Sequence, residues 1–293
     1  MRSGGAPRRA PRASASAGRA GFTAVLALAT GVGLTFLALP LIALFTEVPL
    51  GRVPALLGDP AVRDAIAVTA RTNAIANALI LLVGTPVAFF LATHAFRARP
   101  LAITLVELPL VLPPAVAGIA LLAAFGAGGL FGAPLADAGI VLPFTEWAVV
   151  MAVTFVASPF YVRQAISAFE AVDRTYVDAA RTLGASPART FARISLPLAA
   201  RGLLAGWILA FARGIGEFGA TIVFAGNVRG QTQTLTLGIY EQLDANFDLA
   251  LSIGILLVVL SASILLSYKL LSTWRRSSST SPAPFARTSS ASV

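Results

Sequence analysis

Long apolar runs separated by short polar stretches dominate this chain. Six runs are long enough to cross a bilayer: Phe22–Phe45, Ala65–Thr93, Leu101–Phe125, Glu146–Ile166, Arg201–Ala225 and Leu249–Leu271. About 20 residues at roughly 1.5 Å each cover a hydrocarbon layer of about 30 Å. The pattern therefore predicts an all-α integral membrane protein with six transmembrane helices per chain. No internal repeat is visible.

Several of these runs carry helix breakers: Pro40, Pro86, Pro109, Pro113, Pro114 and Pro159. The densest stretch is ELPLVLPPAVAG, Glu107–Gly118. Proline removes a backbone hydrogen bond, and in lipid the freed carbonyl needs another partner. Such breaks belong where helices pack on one another or where they line a wet cavity, and the pattern leaves both open.

One stretch departs from the apolar background. DAARTLGASPARTFARISLPLAA, Asp178–Ala200, is polar and basic and lies between the fourth and fifth runs. It reads as two short helices. Asp173 is placed to cap the first, and Tyr176, Ala179, Ala180 and Leu183 share one apolar stripe at helical spacing. Gly184 stands where a left-handed C-terminal cap is wanted. Ser186-Pro187 restarts a helix as N-cap and first-turn proline, and Pro197 is expected to end that piece. A narrow Ala-rich stripe flanked by Arg174 and Arg181 suits docking into a groove of another protein. A helix lying flat on the inner leaflet is the alternative.

Composition agrees with the membrane reading. The chain has 293 residues, 57% hydrophobic and 12% charged, with mean hydropathy +0.81; soluble domains carry about 25% charged residues. With no cysteine, a disulfide framework and thiolate chemistry are excluded. The net charge of +9 comes from arginines gathered on one set of loops, as on the cytoplasmic face of membrane proteins. Only Arg52, Arg63 and Arg229 fall on the opposite side, and Arg71 and Arg213 fall within runs. Both termini are then cytoplasmic. No basic stretch is interleaved with aromatics as a nucleic-acid surface would need. Residues 1–21 are basic, small and proline-containing and are expected to be disordered, as is the tail 272–293. Between them lies the membrane domain, 22–271, with a cytoplasmic loop at about 167–200. The first run is too long for a typical signal-peptide core and reads as an uncleaved span.

Charges inside the runs are few. Arg213 and Glu217 fall four residues apart in the fifth run, where they can pair on one helix face. An isolated charge at the bilayer centre costs roughly 2.5–3.5 kcal/mol, so neither should face lipid. They form either a neutralised packing pair or a passing point for an anion. Arg71, beside Asn73, is expected to snorkel to the outer interface. Gly219 and Gly226 permit close backbone approach. Thr232, Thr234 and Thr236 offer hydroxyls to a polar solute or simply make a polar loop. His94, the one histidine, falls at a span edge, so a histidine metal site or a Ser/His hydrolase lacks parts. The one lysine, Lys269, has no glycine-rich loop before it, so the chain has no P-loop.

The basic insert resembles the coupling loop of ABC importer permeases, whose pattern is E-A-A, three residues, Gly, nine residues, I-x-L-P. Here Asp178-Ala179-Ala180, Gly184 and Ile194-Ser195-Leu196-Pro197 keep that spacing, with Asp in place of the first Glu. Glu107–Gly126 and Phe211–Tyr240 are similar to the molybdate branch of the family. The resemblance implies the type I ABC importer architecture and a homodimer in the bacterial plasma membrane. It also implies two cytoplasmic ATPase subunits, which bind the ATP, and an extracytoplasmic oxyanion-binding protein. Asp178, Ala179, Ala180, Arg181, Gly184, Leu196 and Pro197 would then meet the ATPase. Arg213, Glu217, Gly219, Asn227, Thr232 and Thr234 would fall on the pathway or its gate. The expected function is ATP-driven molybdate (or tungstate) import by alternating access, with no catalysis in this chain. A sulfate or thiosulfate permease is the near alternative. An ion-coupled secondary transporter is the distant one, disfavoured by the scarcity of titratable groups in the spans. No nucleophile–base pair for an intramembrane enzyme can be assembled.

Overall fold

In the computed structural model, residues 13–48 and 51–277 are described, and every regular element among them is helical. The first is α1 (Ala13–Glu47), then come α2 (Val53–Leu57), α3 (Pro60–Thr93), α4 (Arg99–Val111), α5 (Pro114–Phe125) and α6 (Gly132–Asp137). α7 (Glu146–Glu170), α8 (Arg174–Thr182) and α9 (Pro187–Thr190) follow. A π-turn (Phe191–Ser195) leads into α10 (Leu196–Ile215), and α11 (Gly219–Phe224), α12 (Leu235–Ala245) and α13 (Phe247–Ser277) complete the chain.

The chain divides into two compact units, residues 1–53 and 54–293. In the first, α1 is apolar enough to cross a membrane over Gly21–Glu47. It begins at Ala13, inside the segment expected to be disordered; Ala-rich sequence favours helix. Residues 1–12 lie outside the described part, as do 278–293 of the expected tail, while α13 runs on to Ser277.

In the second unit α7 is the hub, packed most extensively on α3 and α10. It is the least hydropathic of the long apolar helices and the most buried. A helix ringed by protein does not need a lipid-compatible surface, whereas the more apolar α13 exposes more of itself. Close approach is built in: a side chain on Gly206 of α10 would sit 2.9 Å from Gln164 Cβ on α7. Tyr161 is buried, and its hydroxyl meets Thr85 of α3 at 2.6 Å. A second cluster gathers Val62, Ala65, Leu235, Leu249 and Ile253 from α3, α12 and α13.

Two expectations are corrected, and the proline break expected in the third run is located. The third run is not one straight helix: α4 and α5 meet at 118°. Pro113-Pro114 supplies the reason, with Leu112 and Pro113 both driven to extended ψ, 133° and 135°, because proline disfavours helix in the residue before it. Counting the bent pair as one crossing gives six. The fifth run ends at Ile215 rather than Ala225, and a three-residue break separates it from α11. Pro197 does not end a helix. It opens α10, where the Leu196 N–H reaches Phe191 O in a π-turn, and a first-turn proline has no helical N–H to lose.

Candidate functional site

The basic insert folds as an elbow. α8 is capped by the Asp173 carboxylate, which accepts the Thr175 N–H at 2.8 Å. That hydrogen bond holds the exposed Asp173 carboxyl below its ordinary value of 3.8. At the other end Gly184 has φ +82°. Its N–H reaches Arg181 O at 2.9 Å, and the Ala185 N–H reaches Ala180 O at 3.0 Å, the paired closure of a left-handed helix end. Ser186 then accepts the Arg189 N–H and starts α9.

The expected stripe exists and is uncovered. Leu183 is 88% exposed and Tyr176 59%, while Ala179 is exposed and Ala180 half-buried. Asp178, Arg181 and Gly184 are exposed beside them, and Leu196 and Pro197 are half-buried and exposed at the base of α10. Behind α8 lies a cavity of about 630 Å³, lined by Thr93, Arg99, Phe169, Arg174, Asp178 and Arg181. α8 thus leans chiefly on α9 and the π-turn, with open space between it and the bundle. His94 caps α3 nearby, stacked on Phe90 at 4.6 Å between ring centroids.

The residues expected on the pathway gather elsewhere, around the break after α10. Arg213 is in the last turn of α10, not midway, and Glu217 lies just beyond the helix end. They still pair, with Arg213 Nη2 to Glu217 Oε2 at 2.7 Å and the Glu217 side chain 1% exposed. The other oxygen, Oε1, accepts the Ala220 N–H at 2.7 Å and so starts α11. Thr236 donates to Glu217 O at 2.7 Å, and the Glu217 N–H reaches Gly214 O at 3.2 Å. The main-chain N–H and C=O of Glu217 are thus both satisfied inside the protein, as irregular backbone at membrane depth requires.

Gly219 lets α11 press onto α5: a side chain there would collide with Pro114 Cβ. Thr232, Thr234 and Thr236 are engaged in the scaffold. Thr232 accepts the Val228 N–H at 2.9 Å, and Thr234 caps α12 and meets Thr236 at 2.9 Å. Asn227 donates to Glu241 at 3.1 Å, and Gln233 hydrogen-bonds the same carboxylate oxygen. Beside them α3 carries a polar seam, Thr69, Thr72, Asn73 and Asn77, all buried. Thr69 accepts the Leu235 N–H at 2.9 Å, and Asn77 donates to Asn73 Oδ1 at 2.6 Å. Asn73 Nδ2, Asn77 Oδ1 and Thr221 Oγ1 are buried without a hydrogen-bond partner. The structure places the elbow residues together and the break residues together, as two separate groups.

The family of binding-protein-dependent transport system inner membrane components matches residues 84–277. The chain belongs to this family. The permease is 43% identical over 234 residues to the molybdenum transport system permease protein ModB of Mycobacterium tuberculosis, covering 80% of this chain and 89% of that one. It is 35% identical over 212 residues to the sulfate transport system permease protein CysT of Escherichia coli, covering 72% and 76%. Among solved structures, a bacterial alginate ABC transporter in complex with its periplasmic protein superposes with a TM-score of 0.73 at 18% identity, over 93% of this permease and all of that chain. The fold of the permease is therefore that of ABC importer permeases, and it is a multi-pass membrane protein.

Sequence reasoning missed two features. Arg71, expected at the outer interface, has an ion-pair partner that spacing did not suggest, Glu146 at the start of α7. Arg163, counted among cytoplasmic loop arginines, lies within α7 and pairs with Glu107 of α4 at 3.4 Å. Arg163, Ser167 and Glu170 recur at i, i+4 and i+7, a polar stripe that helical spacing could have revealed.

Proposed function

We propose that this permease is the membrane subunit of an ATP-driven importer that carries molybdate, or tungstate by the same chemistry, into the cytoplasm. The elbow docks on a cytoplasmic ATPase subunit, a second copy of the chain completes the pathway, and an extracytoplasmic binding protein delivers the anion. The permease supplies no catalysis, and the ATP is bound by its partner. Both termini face the cytoplasm, following the gathering of arginines on that side.

The observation that carries the reading is the uncovered apolar stripe on α8. It is short, preformed by caps at both ends, and backed by a cavity rather than by the bundle. A helix so mounted can transmit a displacement without unfolding. ATP-driven approach of two ATPases would move the paired elbows and tilt α7 and α10, which adjoin them. The substrate assignment leans on the ModB relatives, with sulfate as the second reading because CysT relatives align over most of the chain.

Proteoliposomes holding the permease, its ATPase and its binding protein test this directly. Molybdate uptake should need all three with ATP, and uptake by the permease alone would count against it. Ala180→Arg should detach the ATPase while the permease keeps its melting temperature. Unchanged assembly and transport in that variant would refute the docking role. Calorimetry of the binding protein with molybdate, tungstate and sulfate separates the two substrate readings.

A further inference from the structure

α7 carries its own depth gauge. One end, Glu146, pairs with Arg71, and the other, Glu170, pairs with Arg99 at 2.5 Å. The 25 residues between span about 37 Å at roughly 1.5 Å each, somewhat more than a hydrocarbon layer of about 30 Å. The two terminal pairs therefore mark the two headgroup regions. Arg163 stands two turns inward of Glu170, about 10 Å along the axis, and so within the hydrocarbon zone of the cytoplasmic half.

Arginine at such a depth usually snorkels outward. Arg163 instead has an ion-pair partner at its own level, with Glu107 of α4 at 3.4 Å from its Nε. The pair forms a second rung inside the Arg99–Glu170 rung, with α4 running antiparallel along α7. Yet the pair is open: the Arg163 side chain is 68% exposed and Glu107 38%. Only Nε faces Glu107, and the rest of the guanidinium has no ion pair or hydrogen bond among the described residues. Ser167, one turn on, is exposed on the same face. Exposed charges at this depth are costly against lipid and normally face a bundle interior or a water-filled cavity. A forked guanidinium with free N–H groups suits a tetrahedral oxyanion.

We propose that Arg163, backed by Glu107, lines a water-filled cytoplasmic half of the translocation route and is a transient contact for the departing oxyanion. Glu107 weakens the hold, since a route needs entry without trapping. This deepens the importer reading and rests on it for the identity of the anion.

The chain has no cysteine, so single-cysteine chemistry on the assembled transporter is direct. Ser167→Cys is treated from each face separately with methanethiosulfonates bearing a sulfonate or a trimethylammonium group, without molybdate. Labelling from the cytoplasmic face should be several-fold faster with the anionic reagent. Arg163→Gln, and the charge-neutral Arg163→Gln/Glu107→Gln pair, should abolish that preference, while Arg163→Lys keeps it. Molybdate should slow the anionic labelling. A cysteine unreactive to both reagents, as when the stripe faces lipid or a second copy, overturns the proposal. So does labelling with no charge preference. The labelling needs neither ATP nor molybdate, so a failure of molybdate uptake with this pattern intact sinks the substrate reading alone.

Discussion

Helix stops at Gly184 and again at Gly216, and the two stops are held in different ways. At the elbow the helix ends are closed from within a few residues, by Asp173, by the Arg181 and Ala180 carbonyls, and by Ser186. After α10 local bonds are joined by distant ones: the Glu217 N–H reaches Gly214 O and the Ala220 N–H reaches Glu217 Oε1, while Thr236 holds the Glu217 carbonyl and the Phe144 N–H reaches Phe224 O. The elbow leaves its apolar side chains uncovered, while the break carries a buried carboxylate, Glu217. A locally coded element can move as one piece. An element held by distant partners moves only when they do, which suits a joint between α5, α10 and α12.

Breaking the joint should cost most. Glu217→Ala leaves Arg213 unpaired and the start of α11 uncapped, and removing one partner of a buried ion pair costs about 3–5 kcal/mol. Thermal unfolding in detergent should show a large fall, partly restored in Arg213→Gln/Glu217→Gln. Equal stability of Glu217→Ala and the parent would mean that the pair is not structural. Next comes Gly219→Ala, which drives a methyl into Pro114. Overpacking of this kind costs about 1–3 kcal/mol, and the same melt should fall by an amount in that range.

The elbow should respond differently. Gly184→Ala meets nothing within 4 Å, so its cost is the left-handed backbone alone, roughly 1–2 kcal/mol. It should lower ATPase binding in pull-down or calorimetry while scarcely moving the permease melt. A melt shift as large as that of Gly219→Ala would erase the contrast between the two stops.

The smallest effect is a pH dependence at Asp173. Its carboxyl titrates below the ordinary value when folded. Its stabilisation of α8 is therefore complete above the unfolded value and is lost as pH falls through the lowered folded value. The exchange rate of the Thr175 amide relative to its intrinsic rate should be flat across neutral pH and rise only in that acid window. Asp173→Asn should remove the rise.

The elbow was legible because its code is local: caps, a left-handed glycine and an i, i+3, i+4 stripe all fall within one short stretch. Arg213 and Glu217 were legible as a pair by spacing, but not as a helix end. The sequence there reads as continuous apolar run, and only the partners in α5 and α12 make stopping at Gly216 affordable. Arg163 lay inside the predicted run Glu146–Ile166 but close to its end, so it was grouped with the arginines of the following loop; α7 continues to Glu170 and leaves it two turns inside the helix.

Composition and run length alone determined a helical membrane protein with about six crossings, since lipid admits few other ways to satisfy a backbone. Local spacing determined the elbow and its caps. The tertiary structure decided which broken helices meet, which charges are buried and which are open at depth. Those outcomes depend on contacts between residues far apart in the chain, and a buried charge or a broken helix is stable only when a distant partner is already in place.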